Sequence, residues 1–460
     1  MSDASRFAVV MFALAATIPA GARGDDLKRS AFFGARLAPP SAEDRARAKV
    51  DRGGAVIQQV FPGSTAEAAG LRDGDVVTGV AGRPVADPAA FVTAMAGRKA
   101  GDAVRIAWSH GGEGAEKEVT LRGRPRESSD AYDVIYGSIP TRVGRLRTIL
   151  TRPRGDGKHP ALFFIQGIGG YSIETAVGGP MGYKEILDAF TRRGYVTFRV
   201  EKPGQGDSEG GPTLAVDFDT EMDGYRQGYR ALQALDFIDA SNILIFGHSM
   251  GGVWGPLLGA EGGVKGIAVY GTVARTWFEY ILENTRRQED LAGEDPAKID
   301  LHLRQEVAIQ SLLLLEKMTA DEVVAKHPEL RERLFEVWTD GRSIAGRNLD
   351  FFRQLASKDL AEAWGRFDGH ALAIWGEADY VSGQSDHELI ARLVSRSHPG
   401  HGRFLRLAGS DHGFARAHSP AESFVLARKG GAEFNPAIVG ALLGWADEIT
   451  GRAGRSLGSR

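Results

Sequence analysis

Hydrophobic and polar positions follow different rhythms on the two sides of residues 122–131, "RGRPRESSDA". That polar, proline-containing stretch reads as a linker, placed at 125–131. Upstream lie short strand-like runs, "AFFGARLAP", "AVIQQV", "VVTGVAG", "AVRIAWS" and "EKEVTL", with two short helical segments, "STAEAAG" and "DPAAFVTAMAG". They predict a small β-rich domain over 30–124. Downstream, over 132–455, continuously apolar runs alternate with amphipathic segments such as "YKEILDAFTRRG", "EMDGYRQGYRALQALDFI", "HELIARLVSR" and "PAIVGALLGWADEI". The apolar runs are "ALFFIQ" (161–166), "YVTFRV" (195–200), "NILIF" (242–246), "GIAVYG" (266–271), "ALAIW" (371–375) and "RFLRLA" (403–408). A strand apolar along its whole length is buried on both faces, so the fold class is α/β, a mostly parallel sheet covered by helices. "DVIYGSI" and "RLRTILT", with no helix between them, predict an antiparallel start.

Between "GIAVYG" and "ALAIW" the pattern is helical for roughly a hundred residues, too long for a crossover. It predicts a helical lid inserted at 276–365, a device for choosing substrates and excluding water. A packing element that shields the edge of the sheet is the plainer reading.

The upstream domain resembles a PDZ domain of the kind found in bacterial periplasmic proteases. The resemblance rests on "FFGARLAP" (32–39), "PGSTAEAAGLRDGDVVTGVAGRPV" (62–85) and the helix at 87–96. It implies a peptide-binding loop at Phe32, Phe33, Gly34 and Ala35, whose backbone N–H groups hold a protein C-terminus while the peptide adds a strand to the sheet edge. Phe32 and Phe33 also read as core residues.

Two G-x-S-x-G pentapeptides occur, centred on Ser208 in "GQGDSEGG" and on Ser249 in "FGHSMGG". With 60 glycines in the chain such motifs arise by chance, and context decides between them. A serine nucleophile of this type needs a strand running into it, small flanking residues and a helix leaving it. Ser249 has all three: "NILIF" before it, Gly247 and Gly251 beside it, "GGVWGPLLGAE" after it. Ser208 lies between Pro203 and Pro212, next to Glu209, in a loop that reads as the rim of a pocket. Asp379 and His412 follow the strands "ALAIW" and "RFLRLA", at the carboxyl ends where open α/β sheets place their sites. Glu377 is an alternative acid, and His398, His401 and His418 are alternative bases. Asp411 reads as a loop-forming carboxylate. Tyr171, Trp254, Trp277 and Tyr380 are candidates for pocket wall or core.

Ser249, Asp379 and His412, in that order, make residues 132–455 resemble the α/β-hydrolase superfamily. The resemblance implies Ser249 as nucleophile, His412 as general base and then acid, and Asp379 as the residue orienting the imidazole. It implies an oxyanion hole from the Met250 N–H and an N–H after "ALFFIQ", at Ile168 or Gly169. Gln166 stands where relatives often carry histidine.

Composition narrows the choices. A net charge of −3 offers no field for nucleic acid, and no cysteine means no disulfide and no thiolate chemistry. No H-E-x-x-H or similar spacing suggests a metal, and the implied chemistry needs no cofactor. Residues 7–18 are an apolar run too short to span a bilayer, ending near Ala20-Gly21-Ala22. They read as a signal peptide at 1–22, which predicts a periplasmic or secreted protein. The expected function is an exported serine hydrolase acting on a small-molecule carboxylic ester. The alternatives are a serine peptidase or acyl-peptide hydrolase, a non-catalytic PDZ adaptor, and non-hydrolytic acyl transfer or lyase chemistry.

Overall fold

In a computed structural model the described residues are 27–177, 182–339 and 341–452. The segment read as a signal peptide lies outside them. The first domain contains β1 (Ala35–Ala38), α1 (Ala42–Ala48), β2 (Ala55–Val60), α2 (Thr65–Ala69), β3 (Val76–Val80), β4 (Arg83–Pro84), α3 (Pro88–Met95), β5 (Ala103–His110) and β6 (Glu113–Thr120). The strands form one sheet in the order β1-β2-β3-β5-β6, with β4 hydrogen-bonded to β3. Helix α2 is a single bounded turn. Ser64 accepts the Glu67 N–H at 3.1 Å at its start, and Gly70 closes it in the left-handed conformation. Helix α1 was not evident from the sequence; Ser41 and Asp44 form the capping box that makes so short a helix hold.

The second domain begins with the antiparallel pair β7 (Tyr132–Thr141) and β8 (Gly144–Pro153). It continues through β9 (His159–Ile165), α4 (Tyr183–Arg192), β10 (Val196–Val200), α5 (Phe218–Gln233), β11 (Ile238–His248), α6 (Gly251–Gly259) and β12 (Gly266–Tyr270). Then come α7 (Trp277–Ala292), α8 (Pro296–Gln310), α9 (Ala320–Lys326), α10 (Arg331–Val337), β13 (Ser343–Ile344), β14 (Arg347–Asn348), α11 (Leu349–Ala356) and α12 (Leu360–Arg366). The chain ends with β15 (His370–Gly376), α13 (Gln384–Ser397), β16 (Gly402–Leu407), α14 (Pro420–Lys429) and α15 (Ala437–Ile449). Eight strands line up as β16-β15-β12-β11-β9-β10-β8-β7, parallel from β16 through β10.

Period-two alternation explains why this sheet carries a core on each face. Phe163, Ile165, Ile243 and Ile245 join one cluster with α5, α6 and the inserted helices. Their neighbours Leu162, Phe164, Leu244 and Phe246 join another with α4 and α15. The order in which strands are laid down reverses at β9, whose partners are β10 on one side and β11 on the other. The carboxyl ends of β9 and β11 therefore border a topological switch point, where such sheets open a crevice. Helix α5 ends at Gln233 rather than reaching Ile238, because Ile238 is taken by β11, paired with His159.

The insertion, α7 through α12, is not helical throughout: β13 and β14 pair as a short antiparallel hairpin. It seats on the sheet's helices through Phe351, whose ring lies 5.6 Å from Phe218 on α5 and 6.1 Å from Trp254 on α6. The stretch between the domains is docked rather than free. Glu127 accepts the Thr175 N–H at 2.6 Å and pairs with Arg199, a buried cation on β10 that needs a carboxylate.

Candidate active site

Strand β11 delivers Ser249 onto a turn that only small neighbours allow. Ser249 sits at φ +54, a strained conformation for a residue with a Cβ, and its N–H donates to the Tyr270 carbonyl at 2.8 Å. A Cβ on Gly247 would come within 2.4 Å of the Gly251 carbonyl oxygen, and one on Gly251 within 2.0 Å of the Ile165 oxygen. Helix α6 leaves at once, so its N-terminal N–H groups and dipole lie beside the serine.

Strand register brings the other loops to the same level. His248 pairs with Tyr270, Tyr270 with Ile374, and Gly376 with Leu407. Residues just past β11, β12, β15 and β16 thus converge. His412 Nε2 lies 3.2 Å from Ser249 Oγ, and His412 Nδ1 lies 2.9 Å from Asp379 Oδ2. The carboxylate accepts at Nδ1, which leaves Nε2 free to take the serine proton. Asp379 also accepts from the N–H groups of Val381 and Ser382 at 2.7 and 2.9 Å, and from Ser382 Oγ at 2.6 Å. Burial alone would push its carboxyl up, but the His412 ring and the Ser382 hydrogen bonds outweigh it and hold it at about 2. Burial pulls the His412 ring down, and the charge and hydrogen bond of Asp379 more than offset this, leaving it raised. Gly271 explains how the pair fits: a Cβ there would lie 2.9 Å from His412 Nδ1 and 3.2 Å from Asp379 Oδ2.

The alternative residues are engaged elsewhere. Glu377 pairs with Arg406 at the surface. Asp411 accepts the N–H groups of Gly413 and Ala415 at 2.9 and 2.7 Å and shapes the His412 loop. His398 and His401 stack with each other, and His401 also with His370; His418 precedes α14, its backbone N–H on Glu422.

The loop after β9 passes against Ser249, with a Cβ on Gly167 falling 3.1 Å from Ser249 Cβ. Ile168 and Met250 both face the cavity beside Ser249. Gln166 is buried, its side-chain amide 3.5 Å from the Tyr171 carbonyl. His248, one residue before the serine, has a separate task. Its Nε2–H donates to the His412 carbonyl at 2.9 Å, so Nδ1 accepts from the Tyr183 hydroxyl at 2.7 Å. Burial, with His412 nearby, pulls the ring down to about 3 and keeps it neutral. The backbone of the His412 loop is thereby tied to α4.

A cavity of about 250 Å³ opens at Ser249 and His412. Val273 and, from the insertion, Trp277, Ile281, Ile344 and Phe352 are among its apolar lining residues. Asn284 and the Tyr280 hydroxyl, 3.2 Å apart, add polarity, and no carboxylate or basic side chain other than His412 lines it among the described residues. Of the aromatic candidates Trp277 reaches the cavity. Trp254 is buried in the core, Tyr380 packs on Phe424, and Tyr171 bonds Tyr183 at 3.1 Å.

The first pentapeptide is not a pocket rim. Asp207 accepts the Ser30 N–H at 2.6 Å, pairs with Arg29, and accepts Arg147 Nε and Nη2 at 3.1 and 2.9 Å. Ser208 Oγ accepts the Arg147 backbone N–H at 2.9 Å. Arg29 and Arg124 both approach Glu174, at 2.8 and 3.7 Å. The loop is where the first domain is clamped to the second. A rim reading failed because the partners, Arg29 and Ser30, come from the other domain.

In the first domain Phe33 is core, its ring 4.6 Å from Phe91 on α3, while Phe32 is half-buried against Phe61. Gly34 sits at φ +71, where a Cβ would fall 2.2 Å from Ser64 Cβ. Ala35 opens β1, an edge strand, and Val92 on α3 is 64% exposed.

Lys202, Glu221 and Arg347 were missed from the sequence. Lys202 carried a usable signal, being a charged residue just past an apolar strand; Arg347 carried none, because no periodicity marks its hairpin. Burial pulls Lys202 down to about 7, against the pull of Glu221.

Comparison with known proteins places these regions. A family model described as "PDZ domain" matches residues 40–121, and one described as "Serine aminopeptidase, S33" matches residues 181–292. The esterase EstD of Thermotoga maritima is 21% identical over 273 residues, covering 58% of this chain and 57% of the relative. The chain thus spans little more than half the length of that relative. Among solved structures, DcsB in complex with a substrate analogue superposes with a TM-score of 0.43 at 19% identity, over 70% of this chain and 99% of DcsB. An esterase from Pyrobaculum calidifontis gives 0.42 at 16% identity, over 69% and 86%.

Proposed function

From a chain that joins a PDZ domain to an α/β-hydrolase domain, we propose an exported serine hydrolase acting on small carboxylic esters. The observation that carries this is the hydrogen-bonded run Ser249 Oγ–His412–Asp379, at 3.2 and 2.9 Å, opening on an apolar cavity.

In the proposed reaction His412 Nε2 takes the Ser249 proton as Oγ attacks the ester carbonyl carbon. The carbonyl oxygen becomes an oxyanion facing the Met250 N–H and the Ile168 loop, with Gly169 the alternative donor. His412 then hands the proton to the departing alkoxide, leaving an acyl-enzyme on Ser249. Water, activated by the same nitrogen, releases the acid and restores the serine. Asp379 stays ionised throughout and balances the imidazolium.

Esters are favoured over aminopeptide substrates by the cavity wall. A free α-ammonium needs a carboxylate partner in a desolvated site, and none lines the cavity among the described residues. At about 250 Å³ the space suits a short acyl chain. The β1 edge beside the Phe32–Ala35 loop is proposed to take a protein C-terminus by strand addition. Export through residues 1–22 rests on their sequence alone.

Turnover of 4-nitrophenyl esters of increasing acyl length, with aminoacyl and peptidyl anilides alongside, tests the reading. Ester turnover that peaks at short chains and vanishes in Ser249→Ala is expected. Faster anilide cleavage, or no turnover by folded protein, would reject it.

A further inference from the structure

The loop behind the proposed oxyanion hole has no polar side chain over 167–170 with which to brace itself. Gly167, Gly169 and Gly170 have no side chains, and Ile168 is apolar. What fixes it comes from elsewhere. Arg347, on the lid hairpin, grips the Ile168 carbonyl with Nε at 2.9 Å and Nη2 at 2.7 Å. Lys202, just past β10, donates to the Gly167 carbonyl and, at 3.2 Å, to that of Gly169. Glu221 of α5 lies between the cations, paired with Arg347 and 3.6 Å from Lys202. All three side chains are 0% exposed.

Desolvating three charges costs several kcal/mol for each ion, and apolar side chains would fill the space at less cost. The arrangement therefore calls for a role beyond packing, and peptide geometry supplies one. In a planar trans peptide the C=O and the following N–H point in opposite directions. Holding the Gly167 and Ile168 carbonyls fixes the directions of the Ile168 and Gly169 N–H groups. These are the two candidate donors, on a loop that runs against Ser249. Ile344 and Ala345 of the same hairpin line the cavity, so one lid element both walls the pocket and braces the loop.

We infer that Arg347, backed by Glu221 and Lys202, is a positioning residue that sets the oxyanion donors, so the hole is complete only with the lid hairpin seated. This rests on the serine hydrolase reading and adds a requirement to it.

The test compares Arg347→Met and Arg347→Lys in the full chain. With the best 4-nitrophenyl ester, Arg347→Met should lower kcat on the order of 10²-fold with KM within about twofold. Binding of an alkyl boronic acid, which forms a tetrahedral adduct on Ser249, should weaken in step, while binding of the matching carboxylic acid should not. Arg347→Lys should recover part of the loss. Hydrogen exchange of the 166–172 segment should accelerate in Arg347→Met, a readout that needs no turnover. Unchanged exchange there, unchanged kcat, or a loss confined to KM would overturn the inference. Wild-type protein that hydrolyses no ester, with exchange still faster in Arg347→Met, would sink the functional reading alone. If Arg347→Met does not fold, Arg347→Lys carries the test: it keeps the charge beside Glu221 but not the two-pronged grip, and full kcat in it overturns the inference.

Discussion

Two loops of this molecule share the pattern G-x-S-x-G and sit in opposite settings. In 247–251 the serine stands at φ +54 between a buried strand and a helix, with its hydroxyl on His412. In 206–210 the positive φ angles fall on Gly206 and Gly210, and the serine hydroxyl accepts a backbone N–H from β8. The pattern specifies only small residues around a serine. Whether that becomes an elbow or a clasp depends on what the flanking chain packs against. A strand aimed at a sheet's switch point makes the tight turn proposed for a nucleophile; a loop facing another domain makes a dock.

The sharpest way to break the comparison is to remove each hydroxyl in turn. Ser249→Ala should lower kcat on esters by on the order of 10⁶-fold, as expected of residues acting as a unit. A variant retaining wild-type turnover would show that the elbow is not the seat of chemistry.

Next in size is the pH dependence. As the proposed base His412 would work only when neutral, and Asp379 outweighs burial to raise its pKa above the ordinary 6.5. The acid limb of kcat/KM should therefore fall about tenfold per pH unit below an apparent pKa above 6.5 and level off at higher pH. The raised His412 pKa and the depressed Asp379 pKa also mean that the pair stabilises the fold fully between about 4 and 6.5, and that the histidine's contribution is lost as pH rises through its folded pKa. Activity and this share of stability thus run in opposite directions. Asp379→Asn should cost on the order of 10⁴-fold in kcat and move the limb downward. A limb below 6.5 in the wild type, or one unmoved in Asp379→Asn, would detach the aspartate from the histidine.

Much of this was legible in the chain. Continuous apolar runs gave the parallel strands because burial on both faces leaves no room for polar alternation, and strand ends gave Ser249, Asp379 and His412 their places. The antiparallel start at β7 and β8 followed from the missing helix between them. What stayed hidden depends on contacts distant in sequence. Ser208 faces Arg147, and Asp207 faces Arg29 from the other domain, partners that no local pattern ties to "GQGDSEGG". Arg347 reaches Ile168 from the inserted hairpin, and a two-residue strand is too short to show periodicity. The helix expected to run to Ile238 stopped at Gln233 for the same reason: strand pairing with His159 overrode local propensity.

Asp207→Asn probes the clasp. It takes the carboxylate charge from Arg147, which is 0% exposed, and from Arg29, 13% exposed. Breaking a buried pair of this kind costs about 3–5 kcal/mol. The expected outcome is a lower melting temperature and faster proteolysis within 125–131, with short-ester kcat changed far less than by Ser249→Ala. Unaltered melting and proteolysis would mean that the two domains are held by other contacts.

The smallest effect is expected from Ser208→Ala, and it is the most direct test of the contrast. The Ser208 hydroxyl accepts the Arg147 N–H at 2.9 Å in a buried setting, so the substitution removes that hydrogen bond. A hydrogen bond of this kind contributes about 0.5–1.5 kcal/mol, enough to lower the melting temperature by a degree or more. Catalysis should be nearly unchanged, because Ser208 neither lines the cavity nor bonds His412 or Asp379. Thermal melting and kcat measured on one preparation separate the two possibilities. A cooler melt with intact kcat marks a clasp; a dead Ser208→Ala beside an active Ser249→Ala would exchange the roles of the two loops.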